Sequence, residues 1–145
     1  MYMGKEWAVI WSDKLATGSK KIDAFHKEIL DDVVELYKML EDSTKFKDEI
    51  PELTKKIEAA MFAHMDLEIS LLKEINLPGW EEHQENHNFY KKKYDFYKKY
   101  SMRLIIRAVL TAEIANDYMK NHFPKFDIRD IPKIKESHEK REINN

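Results

Sequence analysis

The chain contains no cysteine, which excludes disulfide bridges, thiolate metal ligands and a cysteine nucleophile and is compatible with a reducing compartment. Glycine occurs only three times and proline four times in 145 residues, so there are few chain breakers and helix is the natural expectation. Long apolar runs are also missing. The most apolar stretch, LIIRAVL, is interrupted by Arg107 and is far too short to span a bilayer. The start, MYMGKEWAVIW, has no basic region followed by a long apolar one, so no secretory signal is expected. Nor does one sign of charge dominate: 25 basic and 27 acidic residues leave a formal charge of −2, and no strong global field draws the chain to nucleic acid or an anionic membrane. Partner choice must come from a site. With 43% hydrophobic residues the chain can bury the core of one domain, and a cytoplasmic protein is expected.

Apolar periodicity divides the chain into four helical segments. The first runs from about Ser19 to Glu41, with Ile22, Phe25, Ile29, Val33, Leu36 and Leu40 at three- and four-residue steps after Thr17 and Gly18. The second begins near Pro51 and stops at NLPG. The third opens at Trp80 and carries Tyr90, Tyr94 and Tyr97 on one side. The fourth aligns Leu104, Ala108, Thr111, Ala115, Tyr118 and Met119 before Pro124, where continuation is unfavourable. Long helices with short connections predict an all-α, antiparallel up-down-up-down four-helix bundle over 18–123. Residues 1–17 are expected to form an extended arm whose Trp7, Ile10 and Trp11 pack on the bundle or seal its end. A loop carrying Asp127 and a peripheral polar tail are expected over 124–145.

Histidine interrupts the apolar stripes where leucine would be ordinary. His64 and Glu68 are four residues apart, so they lie one turn apart on a single helix face, and His83 and His87 repeat the spacing. A buried glutamate needs compensation, and metal cations compensate several polar side chains converging on a dry interior. His26 on the first helix and His122 at the end of the fourth join the same stripes, and a turn at Pro124 can swing Asp127 back toward the axis. A single buried histidine is usually a hydrogen-bonded core residue; five together with two carboxylates point to metal. Seven donors exceed the four of a structural zinc and suggest two ions. If Glu68 and Asp127 bridge two six-coordinate ions that also share one oxo or hydroxo atom, one position stays open. An imidazole-rich set with few carboxylates suits iron. His138, in ESHEK, is expected to be a solvated surface residue.

These residues carry a resemblance. GSKKIDAFHKEIL with His26, HMDLE with His64 and Glu68, HQENH with His83 and His87, and NHFPKFD with His122 and Asp127 together resemble the hemerythrin family, in particular bacterial single-domain hemerythrins (bacteriohemerythrins), over roughly Ile10 to Asp127. The resemblance implies reversible dioxygen binding at a non-haem di-iron centre, bridged by an oxo or hydroxo group and carboxylates. His83, His87 and His122 would hold one iron, and His26 and His64 the other, which keeps the vacancy for dioxygen. Five positions around the implied oxygen pocket depart from the common pattern: Phe25 stands for glutamine, Met65 for phenylalanine, Tyr118 for tryptophan, Met119 for leucine and Phe123 for isoleucine. The methionines are either adaptable gap fillers or groups that tune oxygen chemistry.

Three function classes are weighed. A dioxygen carrier, store or delivery protein fits the histidine-rich donor set. A di-iron oxygen- or peroxide-reactive enzyme is less favoured, because oxygen-activating bundles typically use four glutamates and two E-x-x-H motifs. A sensor of oxygen, nitric oxide or iron would need an output, which the charged tail could reach by docking on an unknown recipient protein. HNFYKKKYDFYKKYSMR mixes aromatics and lysines, but helical spacing turns the tyrosines inward and the lysines mostly outward, so a solvated face is expected rather than a nucleic-acid surface. Phe89, Phe96 and Tyr100 form a stripe nearly opposite the histidines. The chain is expected to be a monomer, with these three residues as the candidate contact should it assemble with copies of itself.

Overall fold

A computed structural model describes residues 8–100 and 103–144, with side chains to residue 140. The described residues are helical without strands, and four long helices form an arrangement compatible with a bundle: α1 (Lys20–Leu40), α2 (Glu49–Glu74), α3 (Trp80–Tyr100) and α4 (Leu104–Asp117). α2 packs against α1, α3 and α4, and α4 also touches α1 and α3. No described helix is long and apolar enough to cross a membrane.

Local chemistry sets the helix ends. Ser19 caps α1 by accepting a hydrogen bond from the Ile22 amide at 3.3 Å, while the Thr17 amide and hydroxyl both donate to Asp23 Oδ1 at 2.9 and 2.7 Å. Gly18 makes this entry possible with φ +93°. α2 starts two residues before Pro51, which occupies its first turn where a missing N–H is harmless. It ends at Glu74, and two residues on the φ of +52° at Asn76 lets the Leu77 amide reach back to the Leu72 carbonyl at 3.1 Å.

A main core of Ile29, Leu30, Val33, Leu36, Ile57, Met61, Tyr94, Ala108 and Ala115 fills the bundle interior. The carboxylate of Glu58 is also buried there. It accepts two hydrogen bonds from Arg107 at 2.9 and 2.6 Å and one from the Thr111 hydroxyl at 3.0 Å. Arg107, which breaks the apolar run in the sequence, is the countercharge that lets Glu58 sit inside.

Beyond α4 the helix does not stop at Pro124. The chain widens into a π-helical segment (Tyr118–Asp127), makes a further turn over Ile128–Asp130 and continues as α5 (Pro132–Asn144). Hydrogen bonds from i to i+5 shift the register by one residue, which accommodates the proline ring and its missing donor. The residues after Asp127 are therefore not wholly peripheral. Ile131 and Ile134 are buried against Ile22, Ile69 and Leu72 in a second core, and His138 is exposed as expected. At the other end of the chain Trp7 lies outside the described residues. Val9 and Trp11 pack on the main core and the Val9 amide donates to Asn116 Oδ1 at 2.7 Å, whereas Ile10, expected to pack, is 64% exposed. Alternation along an extended chain accounts for this: if Val9 and Trp11 face the bundle, Ile10 faces water.

Candidate metal centre

The helices α1, α2 and α3 and the π-helical segment that continues α4 each bring at least one polar side chain to the same buried place. α1 supplies His26 and α2 supplies His64 and Glu68. α3 contributes His83 and His87, and the π-helical segment contributes His122 and Asp127. All seven are buried. The π geometry has a direct consequence. In an α-helix of about 3.6 residues per turn, side chains five residues apart diverge, whereas i to i+5 neighbours align in a π-helix. His122 Nε2 accordingly lies 2.9 Å from Asp127 Oδ1. Asp127 thus reaches the cluster from within a helix and not from a loop.

The two carboxylates divide the imidazoles into two groups. Glu68 Oε1 lies 3.2 Å from His26 Nε2 and 3.6 Å from His64 Nε2, while its Oε2 lies 3.2 Å from His83 Nε2 and 3.1 Å from His87 Nε2. Asp127 divides the same way: Oδ2 is 3.3 Å from His26 Nε2, and Oδ1 is 3.1 Å from His83 Nε2. In the larger group His122 Nε2 approaches those of His87 and His83 to 3.2 and 3.1 Å. The donor atoms of Glu68, His83, His87, His122 and Asp127 lie within 4.8 Å of one another, as do those of His26, His64 and Glu68, and such groups could hold a metal ion.

Hydrogen bonds behind the imidazoles turn their Nε2 atoms inward. His83 Nδ1 lies 2.8 Å from Asp130 Oδ2, and Asp130 is itself gripped by Arg129 at 2.7 and 3.0 Å. His122 Nδ1 lies 2.5 Å from Asn86 Oδ1, and His64 Nδ1 lies 3.3 Å from the Ala60 carbonyl. Outer partners of this kind fix the ring and raise its basicity toward a metal. Asp130 and Asn86 are not among the residues expected from the sequence. A usable signal existed: Asp130 follows Asp127 by three residues and Asn86 follows His83 by three, a helical step in each case, but the expected break at Pro124 hid the first.

Charge without a metal is balanced by protons. Burial disfavours a charged His26, but hydrogen bonding and attraction from Asp127 and Glu68 outweigh it and raise its pKa to about 10. Burial likewise opposes His83, and Asp127, Asp130 and Glu68 together raise it to about 11. Burial lowers His64 to about 4, and it also lowers His87. Glu68 and Asp127 would be pushed up by burial, yet the surrounding histidines hold both below the ordinary carboxylate range. Several atoms still lack partners. His64 Nε2 is buried, has no hydrogen bond and faces the cluster. Converging imidazole nitrogens with too few protons between them, beside carboxylates with spare lone pairs, fit a divalent or trivalent cation.

Three of the five side chains expected to form an oxygen pocket lie beside the smaller group. Phe123 meets His26 edge-on with ring centres 5.4 Å apart, Tyr118 meets His64 at 5.2 Å and Phe25 lies 6.3 Å from His64. Phe123, Met65 and Met119 are buried in the main core, and Phe25 is half-buried. The Tyr118 hydroxyl lies 3.1 Å from His87 Nε2 and 3.5 Å from Glu68 Oε2, and burial keeps this phenol well above its usual pKa, so it remains a neutral donor. Phe89, Phe96 and Tyr100 are exposed, far along α3 from the histidines in the latter two cases. Comparisons with known protein families, with curated proteins and with solved structures give no match for this chain.

Proposed function

We propose that the cluster holds two non-haem iron ions and binds dioxygen reversibly, as a hemerythrin-like carrier, store or delivery protein. One observation carries this: each carboxylate turns one oxygen to the His26 side and the other to the His83 side, the disposition of a ligand that bridges two ions. His83, His87 and His122 would hold one ion and His26 and His64 the other, with Glu68 and Asp127 shared. His26 and His64, with fewer imidazoles on their side, would leave room for a small ligand there. Five neutral imidazoles and two carboxylates suit iron better than magnesium or calcium, which prefer oxygen.

When bound, a ferrous pair would supply the redox chemistry for reversible dioxygen binding. The chain's own part is positional. Asp130, Asn86 and the Ala60 carbonyl fix ring orientation, the phenyl ring of Phe123 and the buried Met65 and Met119 exclude water, and Tyr118 offers a neutral hydroxyl at the edge of the cluster. We further read the helices as an antiparallel up-down-up-down bundle with an N-terminal arm, on the short connections between α1, α2, α3 and α4. A peroxide-reactive enzyme is the second reading, favoured by the oxidisable Tyr118 phenol beside His87 and Glu68.

One experiment separates them. Iron-loaded protein is reduced without oxygen, exposed to oxygen while its visible spectrum is followed, and then purged. Recovery of the reduced spectrum over repeated cycles is expected for the carrier. Irreversible oxidation with consumption of an added reductant establishes the enzyme instead, and failure to retain two irons per chain ends both readings.

A further inference from the structure

The last turns of α3 and the first turn of α4 form a part of the surface that the metal centre does not use. Phe96, Tyr100, Leu104, Ile105 and Ile106 are between 40% and 59% exposed there, with the rings of Phe96 and Tyr100 tilted against each other at 4.7 Å between centres. Isolated exposed apolar residues are ordinary; five large ones at one end of a molecule are not. The same stretch is strongly basic. Residues 89–110 contain seven lysines and arginines against the single acid Asp95, a formal +6 in a chain whose total is −2, so the remainder carries −8. Glu58 and Asp66, which pair with Arg107, Lys98 and Lys91, reduce the local excess to +4. Lysine stems also lie over the aromatic faces, with Lys93 Nζ 4.5 Å from the Phe89 ring centre and Lys99 Nζ 5.4 Å from that of Tyr100.

We propose that this end of the molecule docks on an anionic lipid surface. Aromatic rings and aliphatic side chains would enter the headgroup boundary while Lys92, Lys93 and Lys99 meet lipid phosphates and carboxylates, the combination that holds interfacial helices. Charge complementarity selects this occupant. A two-fold contact between copies would set the same lysines against each other. A nucleic acid would gain nothing from Leu104, Ile105 and Ile106, which offer neither phosphate contacts nor a stacking face. At 1.5 Å per residue His83 and His87 lie roughly 20 and 14 Å along the axis from Phe96 and both are buried, so docking leaves the cluster unobstructed. The proposal does not rest on which metal the cluster holds. If the dioxygen reading holds as well, docking would place the carrier beside hydrocarbon, where an apolar gas is more concentrated than in water.

Flotation of the full chain with phosphatidylcholine vesicles, and with vesicles also containing phosphatidylserine, tests this. About tenfold or greater preference for the anionic vesicles is expected, reversed by added salt. Lys92→Glu/Lys99→Glu and, separately, Phe96→Ser/Ile105→Ser should each lower binding about tenfold; all four positions are exposed, and circular dichroism and metal content should match the parent. Equal binding to both vesicles, unchanged binding in either variant, a dimer in sedimentation that the Phe96→Ser/Ile105→Ser variant dissolves, or displacement of vesicles by a single-stranded polynucleotide would each overturn the proposal. Metal content, measured on the same samples, keeps its failure distinct from failure of the metal reading.

Discussion

Loading the metal-free protein with ferrous iron at pH 7 should release at least two protons per chain. The number follows from His26 and His83, whose pKa values of about 10 and 11 leave both rings protonated at that pH. Their Nε2 atoms face Glu68 and Asp127, and a metal bound there needs those lone pairs, so each proton must leave as the cation arrives. His64, lowered to about 4, is already neutral and contributes none. A bound water that ionises to a bridging hydroxide would add one more, giving about three. Anaerobic calorimetry in two buffers of different ionisation enthalpy measures the release directly. The expected apparent enthalpies differ by two to three times the difference between the buffers. A release below one proton would mean that the carboxylates are not compensated by histidine protons in the metal-free state, and the charge balance described above would be wrong.

The same shifts set a pH dependence for the metal-free fold. His26 and His83 have folded values above the ordinary 6.5, so their stabilisation is complete below pH 6.5 and lost as pH rises through about 10 and 11. Thermal unfolding midpoints of metal-free protein should fall over that range, while a midpoint that stays flat would count against the assignment. Asp130→Ala removes the carboxylate behind His83 and should weaken metal binding by roughly 10- to 100-fold in a competitive chelator titration, with helicity unchanged. Arg107→Ala leaves the buried Glu58 with only the Thr111 hydroxyl and the more distant Lys98 among the partners described, and should cost about 3 kcal/mol in denaturant unfolding, whereas Glu58→Leu/Arg107→Leu should recover most of it. Met119→Leu should retain the metal stoichiometry and change the rate at which the oxygenated form decays; equal rates would assign Met119 to packing alone.

The donor set was legible because it violates a pattern. A stripe that runs Ile57, Met61, His64, Glu68, Leu72 keeps helical period while breaking apolar chemistry at two positions, and only a shared countercharge reconciles the two. The four long helices were legible for the same reason, since period survives even where the residue type changes. Pairing across the fold was not. Arg107 visibly interrupts an apolar run, but nothing in the sequence points to Glu58, 49 residues away, as its partner; their bond exists only once α2 and α4 are packed. The C-terminal region was misread for a more specific reason. Proline rules hold for the i to i−4 ladder, and Pro124 sits where that ladder has already widened to i+5. The widening that admits the proline also aligns His122 with Asp127 and carries the chain on to Asp130. Pro124→Ala should let the α-register return and part Asp127 from His122, lowering metal affinity in a competitive chelator titration; unchanged affinity would refute this, and the residue expected to end the helix is in physical terms a condition for the seventh candidate donor.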